Sequence, residues 1–174
     1  MLGIMNVDEL NDLSKQAALD ALASCCTSET WIAAMEAARP FKDVAHTQQA
    51  ALDIWANCSD SDFLQAFEGH PKIGDVSSLR KKYANTKGLA SNEQSGVTVA
   101  TEKTLQALSD GNKQYEQKNG FIFIVYATGK SAEQMLDILD ARLPNDRATE
   151  LKNAAVEQSK ITALRINKLF DLTN

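Results

Sequence analysis

The chain has 174 residues, 44% of them hydrophobic and 24% charged, which is the size and composition of one globular domain and excludes collagen-like, low-complexity and disordered chains. Lys and Arg number 18 against 23 Asp and Glu, a formal charge of -5, the wrong sign for attracting a polyphosphate backbone, so nucleic acid is not an expected partner. No apolar run approaches the ~20 residues that span a bilayer, so no membrane partner is expected either.

Three cysteines, two of them adjacent at Cys25 and Cys26, form neither an even disulfide framework nor a CxxC pair and fit a reducing cytoplasm. The Met1–Met5 run is shorter than the apolar region of a signal peptide, and the terminal Asp171-Leu172-Thr173-Asn174 is not a peroxisomal address. With 3 prolines and 8 glycines among recurrent Ala, Leu, Gln, Glu and Lys, the expected class is all-α: residues 1–174 as a single-domain multi-helix bundle.

In chain order, Asn6 and Glu9 resemble an N-terminal capping pair, and Leu10, Leu13, Ala17 and Ala18 continue one helical face toward Cys25. Ser28 opens a shorter helix carrying Trp31, Ile32 and Met35, which ends near Arg39 because Pro40 disfavours helical geometry in the residue before it. Asp43 restarts the pattern through Val44, Gln48, Ala51 and Trp55. Asn57 closes that helix, and Ser59 or Ser61 opens the Phe63-Leu64-Phe67 turn. Turn formers displace periodicity from Gly69 to Asp75, a loop. A short helix around Val76 to Tyr83 and a polar stretch, Asn85 to Gly88, lead to Ser91 and a long helical run with Val97, Leu105, Leu108 and Tyr115, where Gly111 is a potential kink or interruption. Phe121 to Tyr126 is the one aromatic and β-branched run, and extended backbone is expected over about 121–127. Ser131 and Asn145 introduce two further helices, the last carrying Leu151, Ala155, Ile161, Leu164 and Leu169.

No metal or nucleotide cofactor is expected. His46 and His70 share no ligand spacing, and neither HExxH nor a glycine-rich phosphate loop occurs. Cys58 has no basic sequence neighbour to activate it and reads as a small apolar side chain, while His46 reads as a surface residue. His70 reads in two ways. It is either a turn histidine in water or, on a loop stiffened by Pro71 and brought close by Gly69 and Gly74, an imidazole aimed at a ligand and able to move protons near neutral pH. Ser91-Asn92-Glu93-Gln94 reads as a helix cap whose free N–H groups also suit an anion. Arg165, among apolar neighbours, either crosses a cleft to a carboxylate or snorkels to solvent.

Taken in order, Arg39-Pro40-Phe41-Lys42-Asp43, His70-Pro71-Lys72-Ile73-Gly74, Glu93-Gln94, Asn112 with Tyr115, Gly120-Phe121-Ile122-Phe123-Ile124 and Leu164-Arg165 resemble the 2-oxo-4-hydroxy-4-carboxy-5-ureidoimidazoline (OHCU) decarboxylase family of urate breakdown, from about Leu10 to Leu169. The resemblance implies an all-helical, homodimeric, cofactor-free enzyme that converts OHCU to (S)-allantoin and carbon dioxide. It places the catalytic groups on His70, Glu93 and Arg165. Pro71, Ser91, Asn92, Gln94 and the segment Phe123, Ile124, Val125, Tyr126 and Ala127 fall where the substrate would be held. Two departures stand out: Ser91 lies two residues before Glu93, one fewer than in the family pattern, and Lys118-Asn119-Gly120-Phe121-Ile122-Phe123 lacks one aromatic and the proline of that pattern. The alternatives are a non-catalytic helical binding or scaffolding domain of the same shape and a decarboxylase of a related ureido acid.

Overall fold

A computed structural model describes residues 5–72, 75–83 and 95–172, with only the backbone of 95–100. Its described residues form nine helices and no strand: α1 (Val7–Asp12), α2 (Lys15–Ala23), α3 (Glu29–Ala37), α4 (Val44–Ala56), α5 (Asp60–Glu68), α6 (Val76–Tyr83), α7 (Ser95–Asn119), α8 (Ala132–Arg142) and α9 (Arg147–Leu169). None is long and apolar enough to cross a membrane. The chain divides into two compact units, one built from the residues up to His70 together with those from Leu151 onward, the other being Pro71–Glu150.

Most helix starts follow from local cap chemistry. Asn6, Ser28, Asp43, Ser59 and Ser131 each accept a hydrogen bond from a first-turn N–H, and at Asn6, Ser59 and Ser131 the third helical residue returns a bond to the cap. Three expectations need correction. The helix drawn from Asn6 toward Cys25 is two helices: Leu13 turns to extended backbone (ψ 148°) and Ser14 caps α2. The break is stabilised from a distance, because Arg39 Nη1 donates to the carbonyls of Leu10, Asn11 and Leu13 at 2.9, 3.1 and 2.9 Å and so satisfies the end of α1. Asp146 rather than Asn145 caps α9, its carboxylate accepting from Thr149 N at 2.8 Å. Gly111 neither kinks nor interrupts α7, which is continuous; a Cβ there would lie 2.6 Å from Leu139 Cδ2, so the glycine admits the close approach of α8.

In the first unit the core forms around Leu10, Ala18, Leu22, Trp31, Met35 and Phe67, all fully or almost fully buried. Both tryptophans bury their rings and still satisfy their indole N–H groups: Trp31 donates to Ala51 O at 3.2 Å, joining α3 to α4, and Trp55 to Ala155 O at 2.9 Å, joining α4 to α9.

In the second unit a buried ionic cluster replaces some of that apolar packing. The Glu150 carboxylate accepts from Tyr115 Oη at 2.6 Å, Arg142 Nε at 2.7 Å and Asn145 Nδ2 at 2.9 Å. Arg142 stacks over the Phe123 ring, 4.6 Å from its centroid, and donates to Ile124 O at 2.6 Å. Burial and the adjacent carboxylate push the Tyr115 phenol above its usual range, so it stays a donor. Removing Glu150 would strand a buried guanidinium: Glu150→Ala should cost about 3–5 kcal/mol of unfolding free energy in urea, and a loss below about 1 kcal/mol would show the cluster to be dispensable.

Candidate active site

α5 ends at Glu68, and its last turn aims the following loop. Gly69 packs where no side chain fits, since a Cβ would lie 2.1 Å from Thr27 Oγ1, and His70 N bonds Phe67 O at 3.2 Å. The His70 ring is half-buried. Its Nε2 lies 2.5 Å from Gln158 Oε1 on α9. Gln158, itself only 1% exposed, donates through Nε2 to Thr162 Oγ1 at 3.0 Å. Arg165, one turn on, is half-buried and makes a long 3.5 Å contact from Nη1 to Cys25 O. Residues 158, 162 and 165 are spaced i, i+4, i+7 and therefore share one face of α9.

The electrostatics follow from this crowding. Desolvation, first, and the Arg165 charge lower the His70 pKa below its ordinary 6.5, only partly offset by the bond to Gln158, so the ring is neutral at neutral pH. Burial pushes the Cys25 thiol up to about 11 and raises that of Cys26; neither is a nucleophile at rest. Cys58 is likewise pushed up to about 11, mainly by burial, consistent with a small apolar role. His46 is exposed, its Nδ1 accepting from Lys42 N at 3.0 Å.

His70 and Arg165 thus lie in one unit, with the imidazole within the field of the guanidinium. Pro71 is exposed and begins the second unit. There Phe123, Ile124, Val125, Tyr126 and Ala127 lie outside any helix or strand, as expected, with Phe123 and Ile124 buried. Three carbonyls of this segment already have partners: Ile124 O accepts from Arg142, Tyr126 O from Lys130 Nζ at 2.7 Å and Ala127 O from Lys130 N at 3.1 Å. Asn119, at one departure from the family pattern, is buried, and its Nδ2 donates to Tyr115 O at 3.1 Å. Ser91, Asn92, Glu93 and Gln94, with Ile73, Gly74 and the 85–88 stretch, lie outside the described residues. Among the described residues no group of three or more His, Cys, Asp or Glu is placed to hold a metal ion.

Gln158 and Thr162 were not among the expected site residues. Their signal was present: the buried line of α9 runs Leu151, Ala154, Ala155, Gln158, Thr162, Ile166, Leu169, so two adjacent polar residues occupy a stripe that helical periodicity reserves for apolar ones.

A half-buried imidazole within the field of a guanidinium can exchange protons and attract an anion. The OHCU decarboxylase family model matches residues 11–167, and the chain belongs to that family. It is 36% identical over 151 residues to the uric acid degradation bifunctional protein TTL of Arabidopsis thaliana, covering 84% of this chain and 45% of the relative. The OHCU decarboxylase of Xenopus laevis is 26% identical, with 95% of each chain covered. The chain spans less than half the length of the bifunctional relatives in Arabidopsis and Bacillus, 45% and 32%. A crystal structure of an OHCU decarboxylase in the presence of (S)-allantoin superposes with a TM-score of 0.69 at 34% identity, covering 87% of this chain and 98% of that one.

The His70 environment sets a pH dependence of stability. Because the folded ring is harder to protonate than the unfolded one, the unfolded chain binds more protons between the folded pKa and 6.5. Stability from this site is therefore complete above pH 6.5 and lost as pH falls through the folded value. Urea unfolding of the wild type and His70→Gln at pH 7.5 and 5.5 checks it: the wild type should lose more stability on acidification than the variant, and equal losses would refute the assignment.

Proposed function

We propose that the chain decarboxylates OHCU to (S)-allantoin in urate breakdown, without a cofactor. The observation that carries this reading is the half-buried His70 ring, held by Gln158 and within the field of Arg165, on an OHCU decarboxylase scaffold. The half-buried setting of Arg165 favours it over a non-catalytic binding module, which would leave that side chain in bulk solvent. The family match runs unbroken from 11 to 167, through both compact units, and supports treating 1–174 as one functional domain.

The chemistry asks for what these side chains supply. As the carboxylate leaves as carbon dioxide, its electron pair forms a double bond between the hydroxyl-bearing and ureido-bearing ring carbons, and the C=N pair moves onto nitrogen, which takes up a proton. The hydroxyl then loses its proton to become the ring carbonyl, and the ureido-bearing carbon gains one to become the stereocentre. The substrate's own C=N bond accepts the electrons, so no separate electron sink is required. Arg165 grips the carboxylate, and His70 with Glu93 carries the hydroxyl and carbon protons. Ser91, Asn92 and Gln94 hold the substrate, while Pro71 and the backbone of 123–127 line the pocket, where backbone groups read the ureido group. Freshly generated OHCU, followed by circular dichroism, should yield (S)-allantoin faster than its spontaneous decay to racemate; no acceleration would overturn the reading. His70→Asn should lose about 10²–10⁴-fold in kcat with the helical signal intact. The acid limb of kcat/KM should lie below pH 6.5.

In this reading the enzyme acts as a cytoplasmic homodimer. Three free cysteines, two of them buried neighbours, support a reducing compartment. A groove of about 510 Å³ between α4 and α9, lined by Leu52, Trp55, Phe63, Ala155 and Val156 with Asp53 and Lys152 on its rim, supports self-association. Leu52 and Val156 are 46% and 56% exposed there. Sedimentation should show a dimer that Val156→Asp converts to monomer; a monomeric wild type would refute this.

A further inference from the structure

Gln158 occupies a position that packing alone would fill with Leu or Met. It is 1% exposed, flanked along the α9 stripe by Ala154, Ala155 and Ile166, and a buried amide is tolerated only where its donors and acceptor find partners. Its partners form a directed chain. Gln158 Nε2 donates to Thr162 Oγ1 at 3.0 Å. That turns Gln158 Oε1, which cannot donate, toward His70 Nε2 at 2.5 Å.

We infer that Gln158 is a positioning residue for the proposed decarboxylation, holding His70 as the Nε2–H tautomer so that the Nδ1 lone pair is the proton acceptor. This rests on the reading of His70 as the proton-transfer group, but the tautomer itself does not depend on activity. The neutral amide also explains why a glutamine and not a carboxylate stands behind the ring. Glutamate would hold the ring by the same bond but favour imidazolium, occupying the base with a proton at neutral pH. Among the described residues the charged group acting on the ring is Arg165 on α9, which opposes protonation, while Cys25 and Cys26 beyond it are neutral thiols.

The tautomer can be read directly. The chain holds 2 histidines, so ¹H–¹⁵N multiple-bond spectra of the labelled full-length protein at pH 7.5 resolve two imidazoles, assigned with His46→Gln. His70 should show the Nε2–H pattern; an Nδ1–H pattern would overturn the inference whatever the activity. In the kinetic arm, Gln158→Leu should lower kcat by about 10²-fold with little change in KM. Gln158→Glu should restore the hydrogen bond yet raise the acid limb of kcat/KM above pH 6.5. Wild-type kcat in Gln158→Leu, or an unmoved profile in a folded Gln158→Glu, would also overturn it. A wild type inert toward OHCU would instead refute the proposed function and leave the tautomer measurement to decide the role of Gln158.

Discussion

The second unit depends on a single carboxylate kept fully out of water. Donors from α7, from α8 and from the turn after it converge on the two oxygens of Glu150 and offset the cost of burying that carboxylate. Through Arg142 the same cluster reaches the irregular segment at 121–127, supporting it by a hydrogen bond to Ile124 O and by the guanidinium stacked on Phe123. Tyr115 completes the arrangement with edge-on contacts to Phe121 and Phe123, centroids 5.9 and 5.2 Å away. A stretch without strand partners is thereby kept in one conformation by side chains, which replace the ladder that a sheet would have provided.

α9 shows the same economy. From Leu151 onward its inward face is apolar except at two adjacent positions, and there the polar groups answer one another and the loop imidazole. A polar pair buried in a helix stripe restricts the neighbouring packing to arrangements that satisfy it, whereas an apolar pair would tolerate several. The ring after α5 is held by an amide from one side and by Gly69 packed against Thr27.

Fold class and most helix starts were legible because cap chemistry is local: Ser28, Asp43, Ser59 and Ser131 act on N–H groups within three residues. The division of α1 from α2 was not, since the guanidinium that satisfies the end of α1 arrives from Arg39. Asn145 was a reasonable cap, but Glu150 claims its amide, leaving Asp146 to serve. Gly111 looked like an interruption because a sequence does not reveal that Leu139 needs the space. At the site, His70 and Arg165 were legible as chemistry on a loop and a helix. Gln158 and Thr162 were hidden by an apolar pattern drawn through Ile161 and Leu164, which the structure leaves only half-buried.

The neighbouring thiols of Cys25 and Cys26, at 0% and 1% exposure, have a use unrelated to turnover. A maleimide or disulfide reagent cannot touch them while the region around them stays closed, so the pace of their alkylation is a clock for its transient opening. Any ligand that settles against the imidazole and guanidinium should slow this clock in proportion to its occupancy, giving a readout of binding for compounds that are never converted.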